Sequence, residues 1–298
     1  AGPDGVTYVD VSVSVTLLVV DIPDARLQQD VRECLNKPSQ DILARDLAGL
    51  QVLYVGDGVA DLTGLEFCST IEQLETYDSP ITDLSPIERL TTLCTLRVTN
   101  GRLAHIDLLA GLGNLEVLCL SGNRITDISP LQALAGLIEL DLGANNIDDA
   151  NALAGLTNLR QLNLDGNQLG DITPLADLTE LRTLSMASNA LRDISALGQI
   201  AFTNLGTLDL TGNLISDIGP LLRIACLGNG DVVHLTQNWL DLSAGTQASA
   251  DLAALRARGV TVYVDPQQPH TVAITTGPTG APNPADSGAM IQPPPPCQ

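Results

Sequence analysis

The sequence predicts an α/β solenoid built from stacked coils of one short strand and one short 3₁₀-type turn. Three observations predict it. Apolar residues recur at Ile71, Leu93, Leu115, Leu137, Leu159 and Leu181, always 22 residues apart. A second column stands three residues on, at Leu74, Leu96, Leu118, Leu140, Leu162 and Leu184. Eight residues after the first column come Ser79, Gly101, Asn123, Asn145, Asn167 and Asn189. A fixed period of this size marks a repeat architecture, in which no unit buries its apolar face alone and the stack shares one core.

Each part of the unit LxxLxLxxNxIxDIxPLxxLxx has a physical reading. LxxLxL ends with period-2 character and puts its leucines on one side of a short strand. The Asn turns the corner, where its side chain can satisfy backbone groups that the turn leaves unpaired. In the DIxPL half, Asp or Ser before Pro is a helix-start signal. Few residues remain before the next strand, so that half is a 3₁₀ turn. The period slips by two after residue 200 and resumes at Leu205, Leu208, Leu210 and Asn213. A looser coil follows at Val233, Leu235 and Asn238, and an earlier one at Leu50, Leu53 and Val55 is about one residue short.

Composition narrows the function. Of 298 residues, 14 are basic and 35 acidic, a formal net charge of −21. Lys37 is the single lysine, and the sequence has no Lys/Arg run, so a nucleic-acid partner and adhesion to an anionic membrane are not expected. No apolar run reaches membrane-spanning length. Hydrophobic residues make up 44% and aromatics 2%, so the core must be aliphatic. The charge should keep the chain soluble and favour a basic partner.

These motifs resemble the leucine-rich-repeat family, and the NxIxDIxPL form resembles its internalin type, over about residues 21–266. The resemblance implies a curved, right-handed solenoid with a parallel sheet on its concave face. DIPDARLQQDVRECLNKP resembles an internalin-type helical N-terminal cap, with Leu27, Val31, Cys34 and Leu35 on one helical face. DLAALRARGVTVYVDP reads as a helix, a Gly stop and a final strand, which suits a C-terminal cap. The expected organisation is a strand-like extension over 1–20, a helical cap over 21–48, about nine coils over 49–242, a C-terminal cap over 243–266 and a Pro-rich flexible tail over 267–298. The tail reads as a spacer rather than a further domain.

Candidate chemistry follows from the stacking. The x positions of each strand face outward, and one position of each coil lines up with the next at about 4.8 Å. The central column is Glu75, Arg97, Cys119, Asp141, Asn163, Ser185, Asp209 and His234. Its neighbours include Tyr77, Glu139, Arg160, Asp165 and Arg182. This polar, varied surface reads as a partner-binding face, the alternative being solvated strand positions. Tyr77 and Trp239 are its aromatic anchors. A second column, Asp61, Asp83, Asp127, Asp149, Asp171, Asp193 and Asp217, with His105 in place of one Asp, reads as caps of the other side's turns rather than a cation ladder.

No metal site and no cofactor is expected. The six cysteines form no CxxC pair. Cys68 falls in a core column and Cys34 on the cap face that covers the first coils. Two outcomes stay open: a Cys34–Cys68 disulfide, or two buried thiols packing as small hydrophobes. Cys94 and Cys119 are three residues out of step on adjacent strands, about 11 Å apart and too far for a disulfide. No Cys–His pair, GxSxG, P-loop, HExxH or GxGxxG stands in a catalytic context, so the chain is not expected to be an enzyme.

The expected function is non-catalytic recognition of a protein or cell-surface ligand by a monomeric, secreted or cell-surface module. Two alternatives remain at this point. One is an intracellular regulatory scaffold, since similar repeats occur in a phosphatase-regulator family. The other is a structural surface-assembly component.

Overall fold

The computed structural model describes residues 18–268. Most of the expected N-terminal strand, nearly all of the Pro-rich tail and Cys297 lie outside the described residues. Ten strands form one sheet in strict chain order, every neighbouring pair parallel. They are β1 (Val52–Val55), β2 (Gln73–Tyr77), β3 (Thr95–Thr99), β4 (Val117–Cys119), β5 (Glu139–Asp141), β6 (Gln161–Asn163), β7 (Thr183–Ser185), β8 (Thr207–Asp209), β9 (Val232–His234) and β10 (Thr261–Tyr263). Among the described residues, eight short 3₁₀ turns occupy the opposite, convex side. The chain is therefore a leucine-rich-repeat solenoid with a parallel concave sheet.

The apolar columns close the interior. Leu74, Leu96, Leu118, Leu140, Leu162, Leu184 and Leu208 are all buried, pairing laterally through the strand register. Ile87, Leu131, Leu153, Leu175 and Leu197, buried in their 3₁₀ turns, complete the same core from the convex side.

The corner Asn residues tie each coil to its neighbours. Asn145 Oδ1 accepts the Ile125 N–H at 3.0 Å, while its Nδ2 donates to the Leu120 and Leu142 carbonyls, each at 3.0 Å. Asn123, Asn167, Asn189, Asn213 and Asn238 repeat the pattern. Sequence reading assigned the Asn to its own turn; the structure shows that it also bonds across coils. The residue before the corner takes a left-handed backbone throughout, at Asp78, Asn100, Gly122, Ala144, Gly166, Ser188, Gly212 and Gln237.

Both ends are closed by helices. α1 (Ala25–Cys34) is capped by Asp24, whose Oδ1 accepts the Arg26 and Leu27 N–H groups and whose Oδ2 accepts that of Ala60 in the first coil. It buries Leu27 and Val31, but Cys34 is exposed and Leu35 only half-buried, so the expected four-residue apolar face is narrower than its spacing implied. α2 (Ala44–Leu47) completes this end. At the other end α3 (Gln247–Ala257) stops at Gly259, in the left-handed region at φ +88°, where a Cβ would come within 2.9 Å of Asn229 Cα. Arg258 donates to the carbonyls of Leu222, Ile224, Ala225 and Leu227, which binds the cap to the last convex turn.

Candidate functional site

The strand register sets the outward column in one line: Glu75, Arg97, Cys119, Asp141, Asn163, Ser185, Asp209 and His234 are successive lateral partners. The line extends to Tyr54 on β1 and Tyr263 on β10. Tyr77 and Asp165 stand two residues further along their own coils and Glu139 two residues before Asp141. Arg160 and Arg182 are exposed and lie just before β6 and β7, at the sheet margin rather than in the column.

The N-terminal half of the face is internally paired. Arg97 lies between two carboxylates, with Nε 3.4 Å from Glu75 Oε1 and Nη2 3.6 Å from Glu139 Oε1. Its Nη1 donates to Cys119 Sγ at 2.9 Å, and Cys119 in turn contacts Glu139 Oε1 at 3.8 Å. Tyr77 donates its hydroxyl to Glu75 Oε2 at 2.5 Å. Burial, then the neighbouring Glu75 carboxylate, pushes the Tyr77 phenol up to about 12. The hydrogen bond to Glu75 thus tethers Tyr77 within the face.

The C-terminal half is acidic and supported by backbone. Asp141 Oδ1 accepts from Gly143 N at 3.0 Å and Asn163 Nδ2 at 2.9 Å. Asp165 Oδ1 accepts from Ser185 Oγ and Ala187 N, both at 2.6 Å. Burial raises the Asp165 carboxyl above its ordinary value; the Ser185 and Ala187 bonds oppose this, and the charges of Asp209 and Asp141 add to it. Asp209 accepts from Thr211 N at 2.8 Å. His234 stacks on Tyr263, ring centroids 4.8 Å apart and 12° from parallel.

Tyr54 and Tyr263 are the aromatic side chains that sequence reasoning missed. They are 61% and 52% exposed, against 39% for Trp239, so among the described residues the most accessible of these rings sit at the two ends of the column. Their signal was weak because β1 is a residue short of the period and β10 belongs to the cap.

The convex Asp column behaves as turn caps. Asp83 accepts the Ser85 N–H at 2.8 Å, Asp127 that of Ser129, Asp171 that of Thr173 and Asp193 that of Ser195. Among the described residues, no set of three or more His, Cys, Asp or Glu side chains converges as a metal cluster. Cys34, Cys68, Cys94 and Cys226 are free thiols. The disulfide reading of Cys34 and Cys68 is therefore not realised in this structure: Cys34 is exposed, with Sγ 3.7 Å from the Val52 carbonyl oxygen, and Cys68 is buried. Burial, then Glu66 and Cys34, pushes the Cys68 thiol up to about 12.

Repeat, register and caps together define a leucine-rich-repeat solenoid, and comparison with known proteins agrees. The family model for leucine-rich repeats (2 copies) matches residues 113–155, 136–177, 157–199 and 179–223. The chain is similar to a crystal structure of an internalin (inlF) from Listeria monocytogenes, with 28% identity, 86% of this chain and 80% of that one covered, and a TM-score of 0.72. It is also similar to an internalin C2 (inlC2) from the same organism, with 35% identity, 68% and 91% covered, and a TM-score of 0.66. The leucine-rich-repeat ectodomain of a plant membrane receptor kinase from Arabidopsis thaliana shares the fold, at 21% identity and a TM-score of 0.54 over 67% of this chain and 26% of that one. No curated protein matches the chain by sequence. The chain belongs to the internalin-like leucine-rich-repeat proteins. Among the described residues, no helix is long and apolar enough to cross a membrane.

Proposed function

We propose that this chain is a non-catalytic recognition module that binds a protein partner on its concave sheet face, outside the cell or at its surface. The observation that carries the reading is the contrast between the two sides. The convex side repeats one Asp-capped turn, whereas the sheet face presents a different polar side chain at almost every step of one in-register column. A rigid sheet bearing varied side chains suits recognition. The acidity of Asp141, Asp165 and Asp209, and the net charge of −21, favour a basic partner surface. Glu75, Tyr77, Arg97 and Glu139 form the paired half of this face. Asn163 and His234 continue it, and Arg160 and Arg182 line its margin.

Site-specific photocrosslinking tests the proposal. A photoreactive side chain at Gln161, exposed on the sheet face, should capture a protein from the surface of intact cells. The same group at Gln132, exposed on a convex turn, should not. Capture only from position 132 would move the site to the convex side.

A further inference from the structure

We propose that a hard divalent cation binds where the C-terminal cap meets the last convex turn, between the carboxylates of Asp217 and Asp251. Asp251 lies on α3 and is 4% exposed. Its Oδ1 accepts from Gln247 Nε2 at 2.7 Å, but its Oδ2 is buried and has no hydrogen-bond partner. No ion pair reaches Asp251 among the described residues. A buried carboxylate oxygen without a partner is costly, and a counter-charge is the usual remedy.

The neighbouring turn shows where that counter-charge fits. A Cβ placed on Gly219 would lie 3.1 Å from Asp217 Oδ1 and 3.5 Å from Asp251 Oδ2, so both carboxylates face the space beside this glycine. In the other coils of the Asp column the equivalent residue carries a polar side chain that bonds back to its Asp: Thr63, Ser85, Ser129, Asn151, Thr173 and Ser195. At Gly219 that group is missing, and Asp217 takes only the Gly219 N–H, at 2.8 Å. The one coil of the column that lacks the polar side chain is the one that meets the buried carboxylate. An oxygen-seeking cation such as calcium, at about 2.3–2.6 Å from each ligand, can bridge two carboxylates that face one space. Exposed Asp217 leaves room for water to complete the shell.

The test is calcium binding by the whole chain, measured by equilibrium dialysis alongside thermal melting, with sodium chloride fixed high enough to screen the net charge. One saturable calcium per chain and a raised Tm are expected, and both should be lost in Asp251→Asn and in Asp217→Asn. Asp193→Asn, a cap in another coil, should keep them. In chelator, Asp251→Asn should melt no lower than the parent, because it removes a buried charge; in calcium the order should reverse. No saturable calcium binding, or equal binding by the parent and Asp251→Asn, overturns the proposal.

Discussion

Two columns of aspartates run along this solenoid and their carboxyls shift in opposite directions. On the convex side, Asp83, Asp127 and Asp193 are exposed, and the backbone N–H of the next turn, followed by its hydroxyl, holds each below its ordinary value. On the sheet face, burial holds Asp165 above its ordinary value despite two short hydrogen bonds. The same residue type thus does structural work where it is exposed and carries disfavoured charge where it is half-buried. Charge that a fold keeps at a cost is a better sign of binding than charge that the fold uses.

The largest expected effect comes from removing the cation that Glu75 and Glu139 share on the sheet face. Arg97→Glu would leave Glu75 and Glu139 without a counter-ion on a face where the Arg97 side chain is only 12% exposed. A loss of about 4 kcal/mol is expected, read by urea unfolding. A loss under about 1 kcal/mol would show that the triad is solvated and works as surface charge. Arg97 is therefore a poor probe of binding, although its place in the sequence suggested one. Next comes Asn145→Ala, which strands the buried Ile125 N–H and takes one donor from the Leu120 and Leu142 carbonyls, leaving them the bonds from Asn123 and Asn167. About 3 kcal/mol is expected, with hydrogen exchange rising first around residues 120–146.

Much of this was legible from the repeat. Leu74 through Leu184 set the register, and register alone aligned Glu75 with Arg97 and Asp141 with Asn163. What the repeat could not carry was anything that depends on a coil departing from it. Tyr54 and Tyr263 lie where the period is short or has ended. The exposure of Cys34 depends on how far α1 rotates over β1, which a helical wheel does not specify. Arg258 bonds carbonyls more than thirty residues away, a contact with no local pattern. The raised carboxyl of Asp165 in particular reflects depth in the face, and depth follows from neighbours in three coils rather than from its own.

The two Asp columns separate most cleanly by pH. The folded-state value of Asp165 lies above the unfolded one, so the stability it contributes is complete below the unfolded value and is lost as pH rises through the folded one. Asp165→Asn keeps an acceptor oxygen for Ser185 and Ala187 but never ionises. It should therefore be at least as stable as the parent at pH 7, and lose that advantage below the carboxylate range. Asp83 has the opposite sign: its folded-state value is lowered, so its contribution is present above the unfolded value and is lost as pH falls through the folded one. Asp83→Ala should cost at most about 1 kcal/mol at pH 7, since the group is exposed and caps a single turn, and the cost should vanish in acid. Chemical unfolding of both variants from pH 3 to pH 7 checks the pair: the two difference curves should diverge in opposite directions as pH rises. Parallel curves would mean that both columns are solvated alike, and the acidity of the sheet face would then say nothing about a partner.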